Sequence, residues 1–257
     1  MPTLDVDGYN LYYTVKGKGT PIVFIHPPLL TSANFINQLE NLSHKYKIIT
    51  FDIRGHGRSL YSNRTITYQL IVEDITNLLD YLGIEKAFIC GYSTGGSVVL
   101  EFLLTKACRA LGGIIISGMS EVKDLYLKQR IVLAAKLAKV RVLPFLSLAI
   151  TWGNSNNRQV FAKLYKEAIN GDARNIEQYY RYSLQYNCTS QLQDIKLPVL
   201  LIYGAKDKSF HKYASILHEK LPDNDLIFLE KEKHQIPTKA SFELNELINK
   251  FLLTHKK

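Results

Sequence analysis

The five residues Gly91-Tyr92-Ser93-Thr94-Gly95 constrain this chain more than any other stretch, because they join an apolar run directly to a helical pattern. Lys86-Ala87-Phe88-Ile89-Cys90 before them reads as a central strand of a parallel sheet, and Gly96-Ser97-Val98-Val99-Leu100 after them begins a helix. So abrupt a turn brings backbone against backbone, which calls for residues without a Cβ two places before and two places after its apex. Ser93 stands at that apex, strained and exposed at a helix N-terminus, where a serine serves as a nucleophile. Five residues with three fixed positions recur by chance in many chains; the strand and helix on either side make this occurrence informative.

The rest of the chain repeats the alternation of strand and helix. Leu4 to Val6 and Tyr9 to Val15 flank the turn signal Asp7-Gly8 and predict an antiparallel hairpin. Pro21 to His26 is a buried strand stopped by Pro27-Pro28, which cannot continue a ladder, and Thr31 or Ser32 then caps a helix of about ten residues. Tyr46 to Asp52 is the next strand. The loop Ile53 to Ser59 follows, with Asp52, Arg54 and His56 read as hydrogen-bonding ties for its backbone rather than as catalytic groups. Thr67 to Leu82 reads as a helix stopped by Gly83, Leu111 to Ser117, Pro198 to Gly204 and Asp225 to Glu230 as strands, and Thr238 to Leu253 as the last helix. The expected class is α/β: a mostly parallel central sheet with helices on both faces and an N-terminal antiparallel hairpin.

Between residue 119 and about residue 190 no good strand occurs. Residues 122–142, 158–170 and 173–186 look helical, interrupted by Pro144 and by Gly153-Asn154-Ser155-Asn156. We therefore expect residues 1–118 and 192–257 to form the core and 119–191 to form a helical lid inserted after the sixth strand. The uncharged stretch Val142 to Trp152 is either the lid's own core or the roof of a substrate pocket, lined in that case by Phe145 and Trp152.

Composition narrows the partners. Three cysteines, Cys90, Cys108 and Cys188, make no disulfide framework, the N-terminus lacks a signal-peptide layout, and no long uncharged apolar run occurs; a cytoplasmic protein without a transmembrane segment is expected. The net charge of +9 is not gathered into an Arg-rich tract or an aromatic RNA-binding motif, so no nucleic acid is expected as partner. Residues 121–190 hold 11 Lys and Arg against 5 acids, so six of the nine excess charges lie there. They form a solvated outer face of helices, or they attract acidic ligands or an anionic membrane surface.

In order, these landmarks resemble the α/β-hydrolase superfamily, in its serine-nucleophile, lid-containing branch. They are the strand ended by His26, the loop from Asp52 to Ser59, the Gly91-to-Gly95 elbow, Asp207 after the strand ending in Gly204, and His234 after the last strand. The resemblance covers essentially the whole core, and serine, acid, histidine is the superfamily's order. It implies that His234 takes the proton of Ser93 while Asp207 fixes the imidazole tautomer; Glu121 is the alternative acid. No metal or organic cofactor is implied. The chain departs from the pattern after His26: relatives usually have glycine and then an N–H that helps bind the oxyanion, whereas Pro27 and Pro28 have none. Thr94 then supplies one oxyanion donor and Leu29, or a side chain, the other. Lys233 also stands where many relatives have glycine. The implied activity is that of a serine hydrolase of carboxylesterase or lactonase type, acting on a small, largely apolar ester, thioester or lactone. Carbon–carbon bond hydrolysis and a slow-turnover ligand receptor or signalling protein, with a protein partner not identified, stay open beside it.

Overall fold

Parallel strands buried on both faces need apolar side chains at every position, and five short segments of this chain supply them. The computed structural model describes residues 3–6, 8–139 and 142–255. In chain order its elements begin with β1 (Thr3–Val6), β2 (Tyr9–Lys16), β3 (Pro21–Ile25), α1 (Ile36–Leu42), β4 (Lys47–Phe51) and α2 (Tyr68–Tyr81). They continue with β5 (Ala87–Tyr92), α3 (Thr94–Thr105), β6 (Ala110–Ile116), α4 (Leu125–Lys139), α5 (Leu143–Gly153), α6 (Arg158–Ala168) and α7 (Ala173–Gln185). The chain closes with β7 (Val199–Gly204), α8 (Lys208–Lys220), β8 (Asn224–Leu229), α9 (Ile236–Lys239) and α10 (Ser241–His255).

The eight strands form one sheet in the order β1-β2-β4-β3-β5-β6-β7-β8. β1 and β2 pair antiparallel, as do β2 and β4; the rest of the sheet is parallel. Successive residues serve opposite layers. Val23, Ile25 and Ile89 pack with α2, α3 and α8 on one face, while Ile22, Phe24, Phe88 and Cys90 pack with α1 and α10 on the other. A parallel sheet presents all its strand C-termini along one edge, so the loops after β3, β5, β6, β7 and β8 meet there.

Local chemistry sets most element boundaries as expected. Thr67 caps α2 by accepting from Leu70 N–H, and Gly83 ends it at φ 63. The hairpin is present, with Val6 opposite Tyr9; Asp7 of its turn lies outside the described residues. Three boundaries differ. Thr31 caps a short 3₁₀ turn, Ser32–Phe35, that leads into α1, in place of one continuous helix. The helix expected over residues 122–142 runs from Leu125 to Lys139, with Val140 and Arg141 outside the described residues. Pro144 opens α5 rather than interrupting a helix, because in a first turn its missing N–H has no acceptor to lose. α4 to α7 bury an apolar cluster of their own that includes Ile131, Ala138, Leu146, Ile176 and Tyr180.

Buried polar ties hold the loops beneath these helices. Asp52 accepts from the N–H groups of Ser32 (2.8 Å) and Arg58 (3.0 Å), and Arg54 forms a two-pronged ion pair with buried Asp74 at 2.8 and 2.7 Å. His26 Nε2 accepts from Ile53 N–H at 2.9 Å, which leaves Nδ1–H to donate to the Pro27 carbonyl at 2.9 Å and fixes a neutral tautomer. His56 Nδ1–H donates to the Arg54 carbonyl at 3.0 Å, and its ring lies 5.2 Å from that of His26. Burial pushes His26 down to about 4, against the Pro27 hydrogen bond; burial and then the neighbouring His26 push His56 down to about 3.

Both folded-state values lie below the ordinary 6.5, so the unfolded chain takes up these protons first on acidification. Stability from the neutral rings is complete above about pH 6.5 and falls toward pH 4 and 3 by up to about 1.4 kcal/mol per pH unit for each ring. Denaturant unfolding at pH 7, 6 and 5 checks this. The wild type is expected to lose stability progressively, and His56→Asn, which keeps a donor near the Arg54 carbonyl, is expected to show a shallower slope. Equal stability at the three pH values would contradict buried neutral histidines.

Candidate active site

The geometry of the site begins with the backbone of Ser93. It follows β5, which lies between β3 and β6 well inside the sheet, and has φ 55 and ψ −122. Its N–H donates to the Ile116 carbonyl at 2.8 Å, and its own carbonyl accepts from Gly96 N–H at 2.9 Å, so both sides of the strained residue are pinned. The turn is so tight that a Cβ on Gly91 would stand 2.2 Å from the Gly95 carbonyl oxygen. Ser93 makes no side-chain capping bond to α3, which leaves its hydroxyl available.

That hydroxyl meets His234 from the loop after β8, with Ser93 Oγ 3.1 Å from His234 Nε2. The opposite ring nitrogen, Nδ1, lies 2.7 Å from Asp207 Oδ2, at the start of α8. With Asp207 ionised, Nδ1–H is the donor and Nε2 faces the serine as acceptor. Burial pushes the Asp207 carboxyl up, but the hydrogen bond and charge of His234 and a 2.9 Å bond from the Ser209 hydroxyl outweigh it, leaving the group below its ordinary value. The His234 ring is held between Phe210 (4.3 Å between centroids) and Tyr92 (5.3 Å). Its loop crosses Gly204 so closely that a Cβ there would meet the Lys233 carbonyl oxygen at 2.2 Å. Glu121, the alternative acid, is engaged elsewhere by Thr189 Oγ1 at 2.9 Å and Asn187 Nδ2 at 3.2 Å.

The three side chains open on a cavity of about 460 Å³ between the sheet edge and the helices α4, α5 and α7. Thr94 lies on its wall as the first residue of α3, where a helix N–H has no acceptor within its own helix. Pro27, Pro28 and Leu30 also line it. The side chain of Leu29 turns instead into the cluster under α4 to α7, and its backbone has φ 71, a left-handed value unusual for leucine. The wall formed by α4 and α5 consists of Leu127, Arg130, Ile131, Leu133, Ala134 and Leu137, then Leu146, Ala149, Ile150 and Gly153.

Phe145 and Trp152 do not line the cavity, contrary to expectation. They are 76% and 68% exposed on the outer side of α5, where Trp152 packs edge-on against Phe161. Because α5 is apolar nearly all round, composition does not say which face turns inward. Tertiary packing sets the phase, with Leu146, Ala149, Ile150 and Gly153 turned to the cavity, and no signal in the sequence marks that face. Among the described residues no group of three or more His, Cys, Asp or Glu is placed to hold a metal, and no helix is long and apolar enough to cross a membrane.

Comparison with known proteins fits this architecture. A family model described as alpha/beta hydrolase fold matches residues 20–237. Serine hydrolase BPHL of Homo sapiens is 24% identical over 257 residues, covering 96% of this chain and 84% of that protein. The share of a relative's own length that this chain spans differs widely, from 14% in one curated relative to 98% in another. An esterase from Exiguobacterium antarcticum superposes with a TM-score of 0.86 at 19% identity, covering 96% of this chain and 97% of that one. The enol-lactonase from Burkholderia xenovorans LB400 superposes with a TM-score of 0.84 at 19% identity, over 98% and 100%.

Proposed function

The chain belongs to the alpha/beta hydrolase fold family, and on that premise we propose that it is a serine hydrolase cleaving a small carboxylic ester, thioester or lactone through an acyl-enzyme. The observation that carries this is the relay Asp207–His234–Ser93, at 2.7 and 3.1 Å, on the floor of a largely apolar cavity. In the proposed first half-reaction, Ser93 Oγ attacks the carbonyl carbon as His234 Nε2 accepts its proton, and Asp207 stabilises the imidazolium. The tetrahedral intermediate then expels the alkoxide or thiolate, which takes that proton from His234. Water repeats the sequence on the acyl-serine and releases the acid. Residues 1–118 and 192–257 form the catalytic core in this account, and 119–191 the lid that closes the cavity over the acyl group.

Thr94 N–H and Leu29 N–H serve as the oxyanion donors. Pro28 has no N–H, and the φ of 71 at Leu29 turns that residue's backbone away from the course an ordinary L-residue would follow. Thr94 N–H adds the positive end of α3 to the same spot. The two prolines also favour a second reading, a ligand receptor of slow turnover whose oxyanion site is incomplete.

Two experiments separate these. Ser93→Ala and His234→Ala are each expected to lower ester turnover by about 10³-fold or more, and the double variant to be little worse than either, because the residues act as a unit. Additive losses, or a fully active Ser93→Ala, would remove the mechanism. For Leu29 a proline substitution is unsuitable, since its ring holds φ near about −65°. An amide-to-ester replacement of the backbone at residue 29 removes only the N–H and is expected to lower kcat by about 10²–10³. Parental kcat in that protein would exclude Leu29 as a donor.

A further inference from the structure

One charged side chain in the cavity wall has no task in the chemistry above. On α4 the residues lining the cavity are Leu127, Arg130, Ile131, Leu133, Ala134 and Leu137; all but Leu133 form an i, i+3, i+4, i+7, i+10 stripe, and the exposed Leu133 borders it. Five are apolar and one is an arginine. Arg130 is exposed, and its guanidinium lies 5.5 Å from the Tyr126 ring centroid; among the described residues no carboxylate lies within ion-pair distance of it. An arginine needed only for solubility belongs on the outer face of α4, where Lys128 and Lys136 already stand.

The surroundings leave its charge uncompensated. Two of the five acids in residues 121–190 are drawn toward cations outside that segment: Asp124 pairs with Lys212 at 3.2 Å and Glu167 with Arg58. The Arg130 charge also reaches the floor of the cavity. Burial pushes the hydroxyl of Tyr92, the residue before the nucleophile, upward; Asp207 adds to that shift and Arg130 opposes it. The cavity therefore has one end held by the Asp207–His234 pair and a wall bearing a guanidinium that no carboxylate among the described residues pairs with.

We infer that the substrate is an anion, an ester or lactone carrying a second, ionised carboxylate that Arg130 binds while Ser93 attacks the neutral carbonyl. This rests on the serine-hydrolase reading and adds a substrate class to it. A guanidinium offers a carboxylate two parallel N–H donors, and it stands beside a mostly apolar wall. The apolar stripe around it accommodates the short methylene chain between the two carboxyl carbons. The basic excess of residues 121–190 steers such a substrate toward the opening.

The test compares ester pairs that differ in one charge: monoethyl glutarate with ethyl pentanoate for a charge on the acyl side, and acetylated 4-hydroxybutyrate with butyl acetate for a charge on the alcohol side. In at least one pair, wild-type kcat/KM for the anion is expected to exceed that for the neutral ester by about 10-fold or more, the scale of a charge-assisted hydrogen bond. That preference is expected to weaken at high salt, to disappear in Arg130→Met and to return in part in Arg130→Lys. A second readout needs no turnover: binding of glutarate and pentanoate to Ser93→Ala by calorimetry, with and without Arg130→Met. Esters that turn over without a preference for the anion, or with one that survives in Arg130→Met, overturn the inference and leave the hydrolase reading in place. An Arg130-dependent preference for glutarate, with no ester hydrolysed and Ser93 unlabelled by a fluorophosphonate, supports the anion site and overturns the hydrolase reading. Equal binding of both acids together with no turnover overturns both.

Discussion

A serine at φ 55 and ψ −122 stays there only while its neighbours forbid every alternative, and the site depends on that constraint. Strain of this kind costs on the order of 1–3 kcal/mol and persists where the surrounding structure over-determines it. Here β5 is fixed by ladders to β3 and β6 and by packing on both faces, Phe88 and Cys90 on one side and Ile89 on the other. The first turn of α3 begins without a spacer, and Gly91 and Gly95 let the backbone double back. The serine hydroxyl is thereby aimed outward at the sheet edge where the loops carrying Asp207 and His234 arrive.

The same edge is braced by polar groups that take no part in the proposed chemistry. Asp52, His26 and His56 satisfy backbone groups of the loops after β3 and β4, and the Arg54–Asp74 pair ties the second of these loops to α2. Those loops in turn hold the inserted helices: Glu167 of α6 accepts from Thr31 Oγ1 at 2.9 Å, Asn175 of α7 joins Ser62 at 2.7 and 3.1 Å, and Tyr179 Oη donates to the His26 carbonyl at 3.1 Å. Breaking a buried pair such as Arg54–Asp74 strands a charge, so loss of either partner is strongly destabilising. The cavity thus has a floor set by the sheet and a roof tied to the loops beside it.

Strand and helix alternation, the elbow and the order of Ser93, Asp207 and His234 were legible in the sequence because each rests on local chemistry: apolar runs, glycines at a tight turn, residues at strand ends. Helical phase was not. Pro144 has one sequence signature whether it breaks a helix or opens one, and Phe145 and Trp152 were expected in the pocket because they lie in the uncharged stretch Val142 to Trp152. In the structure Pro144 lies in the first turn of α5, and tertiary packing turns Leu146 and Ile150 to the cavity and leaves the two aromatics outside. Arg130 was hidden for a related reason. Counted with ten other cations it looks like surface charge, and only its place in the stripe with Leu127, Ile131, Ala134 and Leu137 separates it from them. Leu29 shows a third kind of limit: two prolines announce an unusual loop, but a left-handed leucine after them is fixed by tertiary packing of its side chain under α4 to α7.

The account turns on Ser93 carrying the acyl group between the two halves of the reaction. Mixing the protein with an activated ester, quenching in acid within the first turnover and mapping the peptides by mass measures this directly. The account predicts one acyl group per chain, located on the peptide containing Ser93 at that residue, disappearing on the timescale of acid release. Ester hydrolysis with no adduct at Ser93, or an adduct on another nucleophile such as Cys108, would contradict it.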